Sequence, residues 1–188
     1  MYLFILAGLL IAKIKKYKIS YIFTRIDFYP LFTVEAVCIF FQVLVFCRNY
    51  DYVKYAPYMQ KAFTLSLLLP IILRKLYNQA LIGSGFTLFG TLLNKICIKA
   101  NNGYMPVYPT LSRLTGYLRD GDLNKGYDNL HIAFSGMTKL DLLSDCIDTG
   151  FSVISIGDLF IYSFVTIIIY YAIKSMNSEA MQGGVNCD

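Results

Sequence analysis

The chain has 188 residues, of which 56% are hydrophobic and only 15% are charged. Its mean hydropathy is +0.52, and its hydrophobic fraction exceeds the roughly 45–50% that is usual for soluble domains. This composition argues against an ordinary soluble globule and predicts a polytopic membrane protein. The net charge of +5 comes from basic residues that flank apolar stretches, which favours the lipid bilayer over nucleic acid as a partner.

The first three apolar segments predict membrane helices near residues 1–14, 30–46 and 56–73. We expect the first to be retained, because no basic region precedes it and no small-residue cleavage pattern follows it. Its length of about 21 Å is less than the hydrocarbon core of about 30 Å. It therefore spans only if Lys13 and its neighbours reach the headgroups.

The segment between the first two spans, residues 13–28, is basic and amphipathic. Its apolar residues recur at helical spacing beside four lysines and Arg25. Such a helix suits the headgroup region of a membrane, and an ordinary basic loop is the alternative.

The fourth predicted span, near residues 80–98, has one face of small and polar side chains. These lie three and four residues apart and are Gly83, Thr87, Gly90, Thr91 and Asn94. Small residues let helices approach closely in membranes, so we expect this face to pack against another helix.

Residues 99–150 leave the apolar pattern and predict interfacial amphipathic helices between the last two spans. A leucine pattern ends at Gly121, and a second helical piece is expected around residues 127–134. Thr138 and Asp141 resemble the N-cap and third position of a capping box. These helices are too short to span, and we expect them to lie along the membrane surface.

The segment opens with NNGYMPVYP, residues 101–109, which combines turn-forming residues with apolar and aromatic ones. We expect a hinge where the fourth span leaves the membrane, with Gly103 and the prolines setting the turn. Its expected neighbours are His131 and the start of the last span.

The last span is predicted near residues 151–173, and a polar tail of residues 175–188 follows it. We therefore expect an all-α bundle of about five transmembrane helices in one membrane-embedded domain, residues 1–174. Near the ends of the spans, eight basic residues lie on one side of this arrangement and five on the other. This difference favours an N-terminus outside, since the basic side faces the cytoplasm.

Two acids lie within predicted spans, where an ionised side chain is costly unless it is paired or faces a wet interior. We expect Glu35 to pair with Arg74 or Lys75. We expect Asp158 to pair with Lys95. The alternative is that Glu35 and Asp158 are the coupling acids of a small ion-coupled transporter.

His131 is the single histidine, and Asp128 precedes it by three residues. The two would share a face if a helix forms there. With Asp145 they would make a general acid/base site of a membrane enzyme, or, with Asp158 added, a hard-metal site. A hydrogen-bonded interfacial histidine is the simpler interpretation, because one histidine lacks the paired spacing of zinc motifs.

No other pattern indicates a cofactor or a metal. The five cysteines have no framework or metal-ligand spacing, and we expect them to pack as small apolar side chains. They are Cys38, Cys47, Cys97, Cys146 and Cys187. The chain has no phosphate loop, dinucleotide fingerprint, GxSxG elbow or HExxH pattern. We therefore predict no cofactor and no resident metal.

Four short motifs follow one another in the C-terminal half, after Asn94. They are Asn102-Gly103-Tyr104-Met105-Pro106-Val107, Asp128 to His131, Thr138 to Asp145 and Ser155-Ile156-Gly157-Asp158. This ordered series resembles a family of small bacterial membrane proteins classed as a domain of unknown function, DUF5317. The resemblance implies a bacterial cell membrane and no particular activity. It also implies one polar unit, made of Asn94, Asn102, Gly103, Met105, Pro106, Asp128, His131, Asp145, Ser155, Gly157 and Asp158.

The leading functional hypothesis is a membrane component without enzymatic activity. It would bind a protein partner, a second copy of the chain or a small ligand through residues 101–158. The alternatives are the ion-coupled transporter and the membrane enzyme described above.

Overall fold

The computed structural model describes residues 1–119, 121–125 and 130–184. Most described residues are helical, and the helices are α1 (Tyr2–Ile14), α2 (Tyr21–Thr24), α3 (Tyr29–Phe46), α4 (Ala56–Ser66), α5 (Leu68–Leu73), α6 (Tyr77–Ala100), α7 (Leu111–Leu114) and α8 (Ile156–Gly184). Short 3-10 turns occur at Ile26–Phe28, Val53–Tyr55, Asp122–Lys125 and Asp141–Leu143. The strands are β1 (Met105–Val107), β2 (His131–Ala133), β3 (Ile147–Asp148) and β4 (Val153–Ile154).

Four stretches of helix in the described chain are long and apolar enough to cross a membrane. They are Ile26–Phe46, Val53–Leu73, Tyr77–Ala100 and Ile156–Met181, and they correspond to the second to fifth predicted spans. The predicted helical bundle is thereby confirmed. The first predicted span is α1, an apolar helix of 13 residues, which is about 20 Å long.

Prolines account for the starts and one break of these helices. Pro30 and Pro57 lie in the first turns of α3 and α4, where the missing N–H has no helical partner in any case. Pro70 cannot donate to the carbonyl of Ser66, four residues earlier. The helix accordingly breaks between α4 and α5, at Leu67.

Four of the described helices end in the same left-handed turn, in which the residue with positive φ is not a glycine. The residues with positive φ after α1, α3, α5 and α6 are Lys16, Arg48, Lys75 and Asn102. In each case the next residue donates its N–H to a carbonyl five positions back, such as Gly103 to Ile98 at 2.9 Å. This is the Schellman motif, which satisfies carbonyl groups left open at a helix end.

The chain forms two compact units. Unit 1 contains residues 1–37 and 58–86 and the stretch from Tyr162 onwards, and unit 2 contains residues 38–57 and 87–161. The core of unit 1 is apolar, and its largest fully buried side chains include Phe28, Phe63 and Met176. Gly8 lets α1 approach α8 closely there, since a Cβ on Gly8 would lie 2.8 Å from Ile169.

The long helices keep many large apolar side chains exposed. Leu81 and Leu88 on α6 are 75% and 72% exposed, respectively. Large exposed apolar surfaces are unusual on monomeric soluble proteins. They fit helices whose outer faces contact lipid.

Unit 2 contains short strands where interfacial helices were expected. β1 pairs in parallel with β2, with Met105 opposite His131, and bridges in parallel to Asp145 through Val107. β3 and β4 pair in antiparallel fashion, and between them Gly150 has a φ of +83°. The expected helical piece at residues 127–134 is thus wrong for residues 131–133, which are extended; residues 126–129 lie outside the described chain.

Two further boundaries differ from the prediction. In place of the helix predicted to begin after Thr138, the structure has a 3-10 turn, Asp141–Leu143, whose N-cap is Leu140 in a left-handed conformation. The last helix begins at Ile156 instead of Phe151 and continues to Gly184, through most of the predicted polar tail. Residues 174–182 contain neither glycine nor proline, so no helix breaker stops α8 before Gly183.

Candidate functional site

The structure divides the predicted polar unit into separate groups within unit 2. The first group lies where α6 meets the start of α8 and consists of Asn94, Ser155, Gly157 and Asp158. The second lies around β1 and consists of Met105, Pro106, His131 and Asp145. Asn102 and Gly103 form the left-handed end of α6. Asp128 lies outside the described residues.

The first group is a capping box with a third member. The Ser155 hydroxyl accepts a hydrogen bond from the backbone N–H of Asp158 at 3.0 Å, and the Asp158 carboxylate accepts one from the N–H of Ser155 at 3.2 Å. This reciprocal pattern caps the N-terminus of α8. Asn94 on α6 closes the network, since it donates to Asp158 at 2.9 Å and accepts from Ser155 at 2.8 Å.

Two glycines bring the backbones of α6 and α8 together beside this network. A Cβ on Gly157 would overlap the side chain of Asn94, and one on Gly90 would overlap the carbonyl oxygen of Gly157. The predicted packing face of the fourth span is therefore confirmed. Its Thr87 also donates to the carbonyl of Ile161 at 3.4 Å.

The predicted partner of Asp158 is wrong. Its carboxylate is bonded to Asn94 and Ser155, and the structure has no ion pair between Asp158 and Lys95. The physical reason is that Asn94 and Lys95 are adjacent on α6 and so point about 100° apart. Gly90 and Asn94 share a face that contacts α8, whereas the Lys95 side chain is exposed.

The predicted partners of Glu35 are also wrong. In unit 1, Arg74 donates to both oxygens of Asp27, at 2.7 and 3.2 Å, and to both oxygens of Glu179, at 3.3 and 3.5 Å. Glu35 is buried, and its carboxylate accepts a hydrogen bond from the backbone N–H of Tyr2. Among the described residues, its Oε2 has no hydrogen-bond partner.

In the second group, β1 is the middle one of three extended segments. Met105, Pro106 and Val107 are buried. Met105 N–H donates to Leu130 at 2.9 Å on one side of β1, and Asp145 N–H donates to Pro106 at 3.0 Å on the other. The expectation that His131 is a neighbour of the NNGYMPVYP stretch is confirmed, because His131 pairs with Met105.

His131 contacts Asp145 across β1. Its Nε2 lies 3.3 Å from Asp145 Oδ2; the Asp145 side chain is buried, and that of His131 is about one-third exposed. The expected shared helix face of Asp128 and His131 is wrong for His131, which lies on a strand. A carboxylate bonded to one ring nitrogen orients an imidazole and selects its tautomer.

His131 also lines a cavity of about 150 Å³. The other lining residues are Val45, Tyr50, Val53, Tyr117, Leu118, Asp122 and Leu123. Most of these side chains are apolar or aromatic, and the polar groups are few. That combination is typical of small-molecule sites.

The polar edge of the cavity is organised by Arg48. Its guanidinium donates to Tyr50 Oη at 2.9 Å and to the carbonyl of Gly116 at 2.6 Å, and it lies 3.6 Å from the carboxylate of Asp122. Tyr50 and the backbone N–H of Arg119 donate to the same carboxylate oxygen. The buried Asp122 charge is therefore paired and hydrogen-bonded, as a buried charge must be.

Sequence reasoning missed Arg48, Tyr50 and Asp122, because Asp122 lies 72 residues after Tyr50 and no local motif joins it to the other two. It also missed Asn101, whose side chain bonds both the N–H and the C=O of Lys139, each at 2.8 Å. Asp148 was missed as well, although it accepts hydrogen bonds from the N–H groups of Thr110 and Ser112 at the start of α7. Asn101 is the first residue of the NNGYMPVYP motif, and this motif was the sequence signal that could have pointed to it.

No group of three or more His, Cys, Asp or Glu side chains that could hold a metal ion occurs within residues 1–119, 121–125 and 130–184. None of the four cysteines in these ranges forms a disulfide, and Cys97 is buried. Cys187 lies outside them. What the described arrangement can do chemically is donate and accept hydrogen bonds at the edge of an apolar cavity.

Comparison with known proteins identifies the family and no activity. No curated protein and no solved structure matches the chain. The model of a family of unknown function, DUF5317, matches residues 18–170, a range that includes both predicted acids and both polar groups. The chain therefore belongs to the DUF5317 family.

Proposed function

We propose that this protein is a multi-pass component of the bacterial cytoplasmic membrane that binds a small ligand, without transforming it, in the cavity of unit 2. Four helices in the described part of the chain have the length and composition to span a bilayer, which supports the membrane placement. The observation that carries the ligand proposal is the cavity lined by Tyr50, Asp122 and His131.

The size and lining of the cavity restrict the ligand. Its volume of about 150 Å³ is well above the roughly 10–15 Å³ that a cavity needs to hold one water molecule, and it is below the roughly 300 Å³ of drug-sized pockets. Valine and leucine side chains would contact an apolar body, and the polar edge would bond one head group. We infer a small amphipathic molecule.

The polar edge is held in place before any ligand arrives. Asp122 is fixed by Arg48 and Tyr50, and His131 is fixed by Asp145. Groups that are already oriented lose little conformational entropy on binding, which favours affinity. This pre-organisation supports binding more directly than it supports transport, for which Asp158 would have to leave its capping box.

The test uses saturation-transfer NMR on the protein in lipid nanodiscs. Phenol, cyclopentylamine and isobutyrate are the probes, because they combine a small apolar body with a neutral, cationic or anionic head. We expect transfer to at least one probe, and we expect Val45→Phe to abolish it by filling the cavity. The matched control is Val43→Phe on the same helix, since Val43 is exposed and does not line the cavity.

The outcome separates the hypotheses. Equal transfer to the parent and to Val45→Phe would contradict the cavity proposal, since the signal would then come from the lipid or another surface. Absence of transfer to all three probes would also contradict it. If another protein co-purifies in mild detergent with the parent and also with the Val45→Phe variant, the result would instead support the alternative, in which residues 101–158 bind a protein partner.

A further inference from the structure

Three parts of unit 1 bring basic side chains together, and we call this region the basic end. The parts are residues 13–27, residues 74–75 and residues 174–179. Their cations are Lys13, Lys15, Lys16, Lys18, Arg25, Arg74, Lys75 and Lys174, and their acids are Asp27 and Glu179. Eight cations against two carboxylates leave an excess of six positive charges.

Specific contacts hold these parts of the chain together. The Asn177 side chain accepts the N–H of Lys18 at 2.8 Å and donates to its carbonyl at 3.1 Å. Arg74 bonds Asp27, and Glu179 lies within ion-pair distance of both Arg25 and Arg74. Both carboxylates are thus already engaged by arginines, and the excess charge resides on the lysines.

The lysines of the basic end are exposed, and exposed apolar side chains lie among them. Ile14 is 69% exposed and Ile26 is 75% exposed. A basic surface for a soluble polyanion does not require such residues. A surface that enters the headgroup layer does, because apolar side chains are buried there while lysines reach the phosphates.

The basic end lies at the ends of long apolar helices, which agrees with a place in the headgroup layer. Ile26–Phe46 begins there, and Val53–Leu73 and Ile156–Met181 end at or beside it. If these helices cross a bilayer of about 30 Å, their ends lie at the level of the headgroups. Lysines at that level gain attraction from anionic lipids.

We propose that the basic end is a binding surface for the phosphodiester headgroups of anionic phospholipids. It goes beyond the ligand cavity, because it uses residues of unit 1 and none that line the cavity. Lysine binds phosphate as a point charge on a flexible stem. The lysines of the segment after α1 are the residues that we expect to contribute most.

The chain contains no tryptophan, so one introduced tryptophan reports on a single place. Ile14→Trp puts the fluorophore between Lys13 and Lys15 at an exposed position. The protein is reconstituted in phosphatidylcholine vesicles that contain either brominated phosphatidylglycerol or the same fraction of brominated phosphatidylcholine. We expect the anionic brominated lipid to quench more strongly, and the difference to fall with added salt.

Two triple variants of the Ile14→Trp protein test the lysines. Replacing Lys15, Lys16 and Lys18 with Gln removes three charges from the basic end. Each lysine near an anionic surface raises the affinity for anionic lipid by roughly fivefold. We therefore expect the preference for the anionic lipid to fall by at least about tenfold. Replacing the exposed Lys54, Lys95 and Lys99 of unit 2 with Gln removes the same charge and should keep the preference. Circular dichroism verifies that both fold.

Three results would overturn the proposal. Equal quenching by the two brominated lipids would show no headgroup selection. Equal losses in the two triple variants would show a net-charge effect and no particular surface. If inorganic phosphate removed the preference more than sodium chloride at equal ionic strength, the surface would be a site for soluble phosphate instead of a lipid surface.

Discussion

Two asparagine side chains of the described chain bond backbone groups of distant segments. Asn101 bonds both backbone groups of Lys139, and Asn177 does the same for Lys18. Each asparagine also donates to the carbonyl four residues before it. A side-chain amide has the same donor and acceptor as a peptide, so it replaces a strand partner where the chain offers none.

Asp148 shows the energetic consequence at the residue scale. Burial by itself would raise the pKa of its carboxyl, but hydrogen bonds from the N–H groups of Ser112, Gly150 and Thr110 and from the Ser112 hydroxyl lower the pKa below the ordinary value of 3.8. A lowered folded-state pKa means that the charged form stabilises the fold. The charged form makes its full contribution to the free energy of unfolding above the unfolded-state pKa, and this contribution is lost as the pH falls through the folded-state pKa.

We therefore predict that the free energy of unfolding falls below about pH 4 in the parent protein, and that Asp148→Asn removes part of this dependence. The unfolding of both proteins is measured from pH 7 down to pH 3. Asp51→Asn is the control, because Asp51 is an exposed aspartate. Parallel curves for the parent and Asp148→Asn would contradict the assignment of the charged form.

At the scale of elements, the contact of α6 with α8 is determined by residues that have little or no side chain. Gly90 and Gly157 permit the approach, and the approach in turn places Asn94 within reach of Ser155 and Asp158. Without a hydrophobic effect between helices in lipid, close packing and hydrogen bonds supply the association. The glycines and the polar network are thus two parts of one contact.

Gly157→Ala should separate the two helices. We expect a loss of about 1–3 kcal/mol, the usual cost of overpacking, measured by denaturation in mixed micelles followed by circular dichroism. Gly85→Ala on α6 is the control, since an added Cβ there meets no atom within 4 Å, and it should be neutral or stabilise by up to about 1 kcal/mol. Similar losses in both variants would indicate that backbone flexibility matters and not the close contact.

At the scale of the whole chain, Asp27 and Arg74 join segments 47 residues apart, and Glu179 extends the network to the end of α8. The side chains of Asp27 and Arg74 are only 5% and 7% exposed, whereas Glu179 is 48% exposed. A buried pair is costly to break, because one charge is then left without its partner in a poorly solvated place. An exposed pair is worth little.

Asp27→Ala should therefore lower the free energy of unfolding by about 3 kcal/mol, and Glu179→Ala should lower it by less than about 1 kcal/mol. The double variant Asp27→Leu with Arg74→Met should recover part of the loss, because it removes both charges. Stability is compared by denaturation under one set of detergent conditions. If Glu179→Ala costs as much as Asp27→Ala, the burial argument for this network is wrong.

The helices and the packing face of α6 could be predicted because their signals are local. An apolar run of about 20 residues defines a candidate span, and small residues spaced by three and four define a face. The strands were not predictable in the same way. β1 and β2 have three residues each, which is too short for a period of two to be recognised.

The composition and periodicity of the sequence by themselves determined that the described part of the chain contains apolar helices long enough to cross a membrane, and which face of the fourth one packs. Only the tertiary structure decided the polar partners. Asp27 meets Arg74, Asn94 meets Asp158 and Asn101 meets Lys139 across 47, 64 and 38 residues. Such pairs depend on how helices turn and cross, and a rotation of one residue, about 100°, changes the partner.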